Sequence, residues 1–118
     1  MEKVFNVRAY GILINEEDEV LLSDEYRHGI RFTKFPGGGL EWGEGLKDCL
    51  CREFEEEIGV KVKVVKHFYT TDFFLKSAFN DKEQLISIYY FVQMLEGKNP
   101  KSSPRKFDFQ DEEGAQNF

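Results

Sequence analysis

The sequence predicts an α+β protein with a mixed or antiparallel sheet and at least one helix packed on it. Three observations carry this. Runs rich in β-branched and aromatic residues flank the centre of the chain, a loop with five glycines interrupts it, and an apolar stripe of helical period follows that loop directly. The 118 residues suffice for one domain, 1–118, with a modest core.

VFNVRAYGILI (4–14) is β-rich, NEED (15–18) is a polar turn and EVLLS (19–23) is a second β run, so the chain opens on a predicted hairpin. DEYRHGIRFTK (24–34) reads as a loop with a short strand, and FPGGGLEWGEG (35–45) as irregular because of its glycines. From Leu46 the period changes. Leu46, Leu50, Phe54 and Ile58 recur every four residues, and Gly59 stands where a C′ residue would end the helix. VKVKVVKHFYTTDFFL (60–75) and QLISIYYFVQML (84–95) return to β character. GKNPKSSPRK (97–106) is a polar loop, and FDFQDEEGAQNF closes the chain.

Against 22 acidic residues stand 16 Lys and Arg, a net charge of −6. That balance disfavours nucleic-acid polymers and anionic membranes as partners, and an anionic ligand would need a local offset such as a divalent cation. MEKVFNVRAYG lacks the apolar core of a secretion signal, and LISIYYFV is too short to span a bilayer, so the expected location is cytoplasmic. Cys49 and Cys51 lie two apart on the predicted helix and point different ways, as small core or boundary residues rather than a disulfide or metal pair.

The helix ends on EFEEEIGV (53–60), which holds Glu53, Glu55, Glu56 and Glu57. Acid runs on helices are usually solvated faces. At roughly 100° per residue, however, Glu53 and Glu57 overlap the apolar stripe, Glu56 borders it, and only Glu55 points away. They also crowd the negative end of the helix dipole and repel one another, with Arg52 the only cation in the run. A hard cation such as Mg²⁺, Mn²⁺ or Ca²⁺, held by carboxylates one turn apart, would remove that conflict. An EF-hand-like loop, which a structural Ca²⁺ site would favour, is absent from the sequence.

Residues 38–60, GGLEWGEGLKDCLCREFEEEIGV, place Gly38, five residues, Glu44, seven residues, Arg52-Glu53-Phe54, one residue, Glu56-Glu57, one residue and Gly59-Val60 in series. This resembles the signature of the Nudix hydrolases, the MutT-like family, at every defined position. The resemblance implies an α/β/α sandwich around a central mixed sheet, and hydrolysis of a diphosphate linkage in a nucleoside diphosphate derivative with Mg²⁺ or Mn²⁺. A nucleotide-binding or catalytically impaired module of the same fold is the alternative. By position, Glu53, Glu56 and Glu57 resemble the metal ligands, joined by the carbonyl of Gly37, and Glu53 resembles the base or its orienter. Arg52 and Glu44 resemble the pair that holds the carboxylates in place.

Gly38 and Gly39 let backbone approach phosphate or metal, and Arg31 and Lys34, like Arg27, precede them as candidate phosphate contacts. Tyr26, Phe32, Phe35, Phe73 and Phe74 are candidates for stacking on a base, or core residues. The loop cations Lys98, Lys101, Arg105 and Lys106 and the histidines His28 and His67 receive no role. Where many relatives carry a basic residue after the second strand, this chain has Ser23-Asp24-Glu25. Glu112 and Glu113 sit where a further catalytic glutamate often lies. The family pattern continues past such a segment into a last strand and a covering helix. The sequence ends at Phe118, so the expectation is bare apolar sheet surface, with self-association into a dimer or low stability.

Overall fold

β1 (Val4–Leu13) is the strand around which the domain is built. It runs parallel to β6 (Glu83–Met94), from Val4 opposite Glu83 to Leu13 opposite Val92. Its other edge pairs antiparallel with β4 (Gly37–Gly39), and β6 pairs antiparallel with β5 (Val62–Thr70), giving a mixed sheet of order β4-β1-β6-β5. The computed structural model describes residues 2–95 and 115–117.

The alternation of β1 divides its residues between two jobs. Val7, Ala9 and Leu13 pack toward helix α1 (Leu46–Ile58), while Asn6, Arg8 and Tyr10 line a cleft on the other face. The predicted stripe seats α1 on the sheet, with Leu50 and Phe54 fully buried and Leu46 and Ile58 partly so. Burial of Leu50 and Phe54 alone contributes about 3 to 6 kcal/mol. Gly11 makes room for this seat, since a Cβ there would lie 2.5 Å from the Phe54 ring. The helix ends where the sequence predicts: Gly59, at φ 76°, donates its N–H to the carbonyls of Phe54 and Glu55.

Three expectations need correction. The opening hairpin is reduced to one bridge, Ile14 with Val20, beside a hydrogen bond from Leu21 N–H to Leu13 O. The true hairpin is β2 (Ser23–Arg27) with β3 (Ile30–Lys34), closed by His28 and Gly29 at φ 52° and 74°, the signs of a type I′ turn. Finally, the glycine loop is partly regular, because Gly37–Gly39 pairs with Arg8–Tyr10 as β4. A side chain at Gly37 would run into the Ala9 carbonyl, so this close strand pairing is open to glycine.

A second sheet of order β3-β2-β7 is completed by β7 (Ala115–Asn117), three residues of the segment that closes the sequence. Among the described residues α1 is the one helix, and none is long and apolar enough to cross a membrane.

Candidate active site

β4, the C-terminal half of α1 and the β2–β3 hairpin converge on a cleft of about 390 Å³. Gly37, Gly38 and Gly39 form one wall, with Glu53 and Glu57 beside them, and Glu25 and Lys34 face across from the hairpin. Asn6, Arg8 and Tyr10 lie on the strand beneath.

Gly38 fixes how close the helix comes. A Cβ there would lie 2.6 Å from the Glu53 carboxyl carbon, so the missing side chain is the space the carboxylate occupies. Glu57 lies one turn further along α1, and its Oε2 is buried without a hydrogen-bond partner. Burial, opposed by Lys34 and reinforced by Glu53 and Glu25, raises the Glu57 carboxyl from 4.5 to about 7. A buried acceptor left without a donor invites a cation or a proton.

Arg52 governs the other acids. It grips Glu44 with both edges of its fork, Nε to Oε2 at 3.0 Å and Nη2 to Oε1 at 2.7 Å. Its Nη1 reaches Glu53 at 3.0 Å and Glu56 at 3.2 Å, and Nη2 also donates to Gly39 O at 3.2 Å. Hydrogen bonds from Arg52 and from the Glu41 N–H hold Glu44 down to about 2. Glu44 and its hydrogen bonds in turn raise Arg52 further. Cys49 lies against the carbonyls of Gly38 and Gly39, with burial pushing its thiol up to about 12, while Cys51 points to Val62 O. The two cysteines are thus separate packing residues.

The candidate residues fall into groups. Glu53, Glu57, Gly37, Gly38, Gly39 and Lys34 meet in the cleft. Arg52 and Glu44 stand behind them. Glu56 is 60% exposed and tied to Arg52 rather than lining the cleft. Arg31 is exposed on β3 and does not line it either. Glu112 and Glu113, like Lys98, Lys101, Arg105 and Lys106, lie outside the described residues. Of the aromatics, Phe32 lines the cleft and packs on Phe79, whereas Phe73 and Phe74 are exposed, 55% and 70%, and belong to no core.

Glu25 escaped the sequence reading. It is 2% exposed, accepting from Ser23 Oγ at 2.8 Å and paired with Arg27 at 3.1 Å and Lys34 at 3.0 Å. Burial raises its carboxyl, but Lys34, Ser23 and Arg27 outweigh that and leave it lowered. The available signal was the alternation Ser23, Glu25, Arg27, which puts three polar residues on one strand face.

Hard oxygen donors, an orphaned acceptor on Glu57 and a Glu53 carboxylate seated against the bare backbone of Gly38 suit a hard divalent cation. Among the described residues no three His, Cys, Asp or Glu side chains are already gathered for one. Arg52 draws Glu53 and Glu56 to itself, so cation binding would trade those contacts for new ones.

A mixed sheet carrying a loop and helix that deliver acids to a glycine-walled cleft defines the class of this domain. The family model described as the NUDIX domain matches residues 4–115, and the chain belongs to that family. The chain is similar to the NAD-capped RNA hydrolase NudC of Photobacterium profundum, 37% identical over 57 residues, 48% of this chain and 21% of that protein. It is also similar to the 8-oxo-dGTP diphosphatase of Escherichia coli, 29% identical over 93 residues, 76% of this chain and 67% of that one. Among solved structures, the MutT protein from Methanosarcina mazei Go1 superposes with a TM-score of 0.70 at 21% identity, over 96% of this chain and 80% of that one.

Proposed function

We propose that this chain hydrolyses a diphosphate linkage in a nucleoside diphosphate derivative, with Mg²⁺ or Mn²⁺ held by Glu53, Glu56 and Glu57 and the carbonyl of Gly37. The observation that carries this reading is the buried Oε2 of Glu57, an acceptor without a donor beside Glu53 in a cleft. The divalent cation, when bound, supplies charge neutralisation at phosphate oxygens and acidifies a water. The chain's own residues position the reaction. Gly38 and Gly39 let backbone approach the phosphates, and Lys34, paired with Glu25 at 3.0 Å and donating at 3.1 Å to the Gly37 O that a cation would take over, offers them positive charge. Glu53 orients the attacking water or takes its proton, while Arg52 and Glu44 keep the acids of α1 in register. Phe32 with Phe79 offers apolar surface to a base.

The relatives' names support hydrolysis, since they describe a hydrolase of NAD-capped RNA and a diphosphatase of 8-oxo-dGTP. The test is release of phosphate, pyrophosphate or nucleotide from a panel of nucleoside triphosphates, dinucleoside polyphosphates, nucleotide sugars and 5′-capped RNA. Metal-dependent turnover that collapses in Glu56→Gln and Glu57→Gln is the expected result. Nucleotide binding without turnover on any substrate would replace the enzyme with a binding module.

A further inference from the structure

The cations in and beside the cleft differ in what holds them. Arg52 is engaged by Glu44, Glu53 and Glu56, and Arg27 and Lys34 both pair with Glu25. Arg8 stands apart. It is half-buried on β1, it lines the cleft, and among the described residues no carboxylate forms an ion pair with it. Its anchor is neutral: Nε donates to the Tyr10 hydroxyl at 2.6 Å, and the guanidinium lies 5.7 Å from the Tyr10 ring centroid. Lys34 Nζ sits 5.5 Å from the centroid of the same ring.

Acids are not lacking nearby. Glu25, Glu53, Glu57 and Glu83 line the same cleft; Glu25 is taken by Ser23, Arg27 and Lys34, Glu53 by Arg52, and Glu83 accepts from Asn6 at 3.3 Å, while Glu57 keeps an unpartnered Oε2 that Arg8 does not pair with. A guanidinium held partly out of water by a phenol, and in ion-pair contact with none of the acids of its cleft, retains donors for an incoming anion. A purely structural arginine would be expected to use one of those carboxylates or to extend into solvent.

We propose that Arg8, steadied by Tyr10 and joined by Lys34, forms an oxyanion subsite for the phosphate of a diphosphate substrate that the α1 carboxylates do not hold. This rests on the diphosphate-hydrolase reading and adds to it the group that receives the second phosphate. Tyr10 acts as a positioning residue, because it touches Arg8 rather than the anion.

The test is calorimetric titration of inorganic pyrophosphate, in the presence of Mg²⁺, into wild type, Arg8→Met, Arg8→Lys and Tyr10→Phe, each checked for folding by circular dichroism. The expected result is affinity about tenfold or more weaker in Arg8→Met, with Arg8→Lys and Tyr10→Phe between it and wild type. In turnover the same variants should raise KM more than they lower kcat. Wild-type pyrophosphate affinity in a folded Arg8→Met overturns the subsite, as does failure of wild type to bind pyrophosphate. Should Arg8→Met not fold, unchanged affinity in both Arg8→Lys and Tyr10→Phe overturns it. Arg8-dependent binding without turnover of any substrate would keep the subsite and refute the hydrolase. Turnover with an unchanged KM in Arg8→Met would do the reverse.

Discussion

Replacing Glu57 by Gln tests the site at its least comfortable point. The fold raises this carboxyl from 4.5 to about 7, mainly by burial. Between those values the folded protein therefore holds a proton that the unfolded chain has released. Stability falls as pH rises through that window and levels off above it. Full shielding would make the cost about 3 kcal/mol, and solvent screening at this only partly buried position reduces it to about 1 to 2 kcal/mol. Gln carries no charge at any pH, and its amide can donate to Glu53. In EDTA at pH 8 the variant should thus be more stable than wild type by about 1 to 2 kcal/mol, with the gap closing by pH 4.5. Urea unfolding followed by far-ultraviolet circular dichroism measures this, since Trp42 is fully exposed and a poor fluorescence reporter. Mg²⁺ should raise the wild-type midpoint and leave that of the variant nearly unchanged. A gap independent of pH, or a variant less stable than wild type at pH 8, would refute the burial reasoning.

Two further outcomes follow from the neighbouring geometry. Arg52→Lys keeps the charge but loses the two-pronged grip on Glu44 and the clip to Gly39 O, so turnover should fall about tenfold or more. Wild-type kcat/KM in that variant would remove Arg52 as the organiser of the acids. Gly38→Ala pushes a methyl against the movable end of Glu53, so unfolding should shift by less than about 1 kcal/mol while Mn²⁺ affinity, read by calorimetry, falls about tenfold. Loss of stability without loss of Mn²⁺ affinity would contradict the role given to that space.

The helix and its cargo were legible in the sequence because their signals are local. The four-residue stripe, the stop at Gly59 and the position of Glu53 and Glu57 against the stripe all lie within one short segment. What was illegible depends on partners distant in the chain. No local pattern says that β1 lies parallel to β6, and the SDEYR and IRFTK runs look like loop until His28 and Gly29 are recognised as a two-residue turn. β4 looked irregular because its glycines answer to Ala9 and Glu53, contacts made in space. Glu25 and Arg8 carry no local signal for a related reason. Each matters through what surrounds it, and a strand gives no sequence signal for which acid meets which base.

The pairing of β1 with β6 also has a kinetic side. Arg8 and Tyr10 sit opposite Ser87 and Tyr89, with the hairpin, the glycine strand and the helix all lying between them in the chain. Contacts closed over so long a stretch form late and slowly compared with a helix or hairpin. The cleft is therefore among the last things the protein acquires on folding, and ligand capture should mark completion of the sheet rather than formation of the helix that carries the acids.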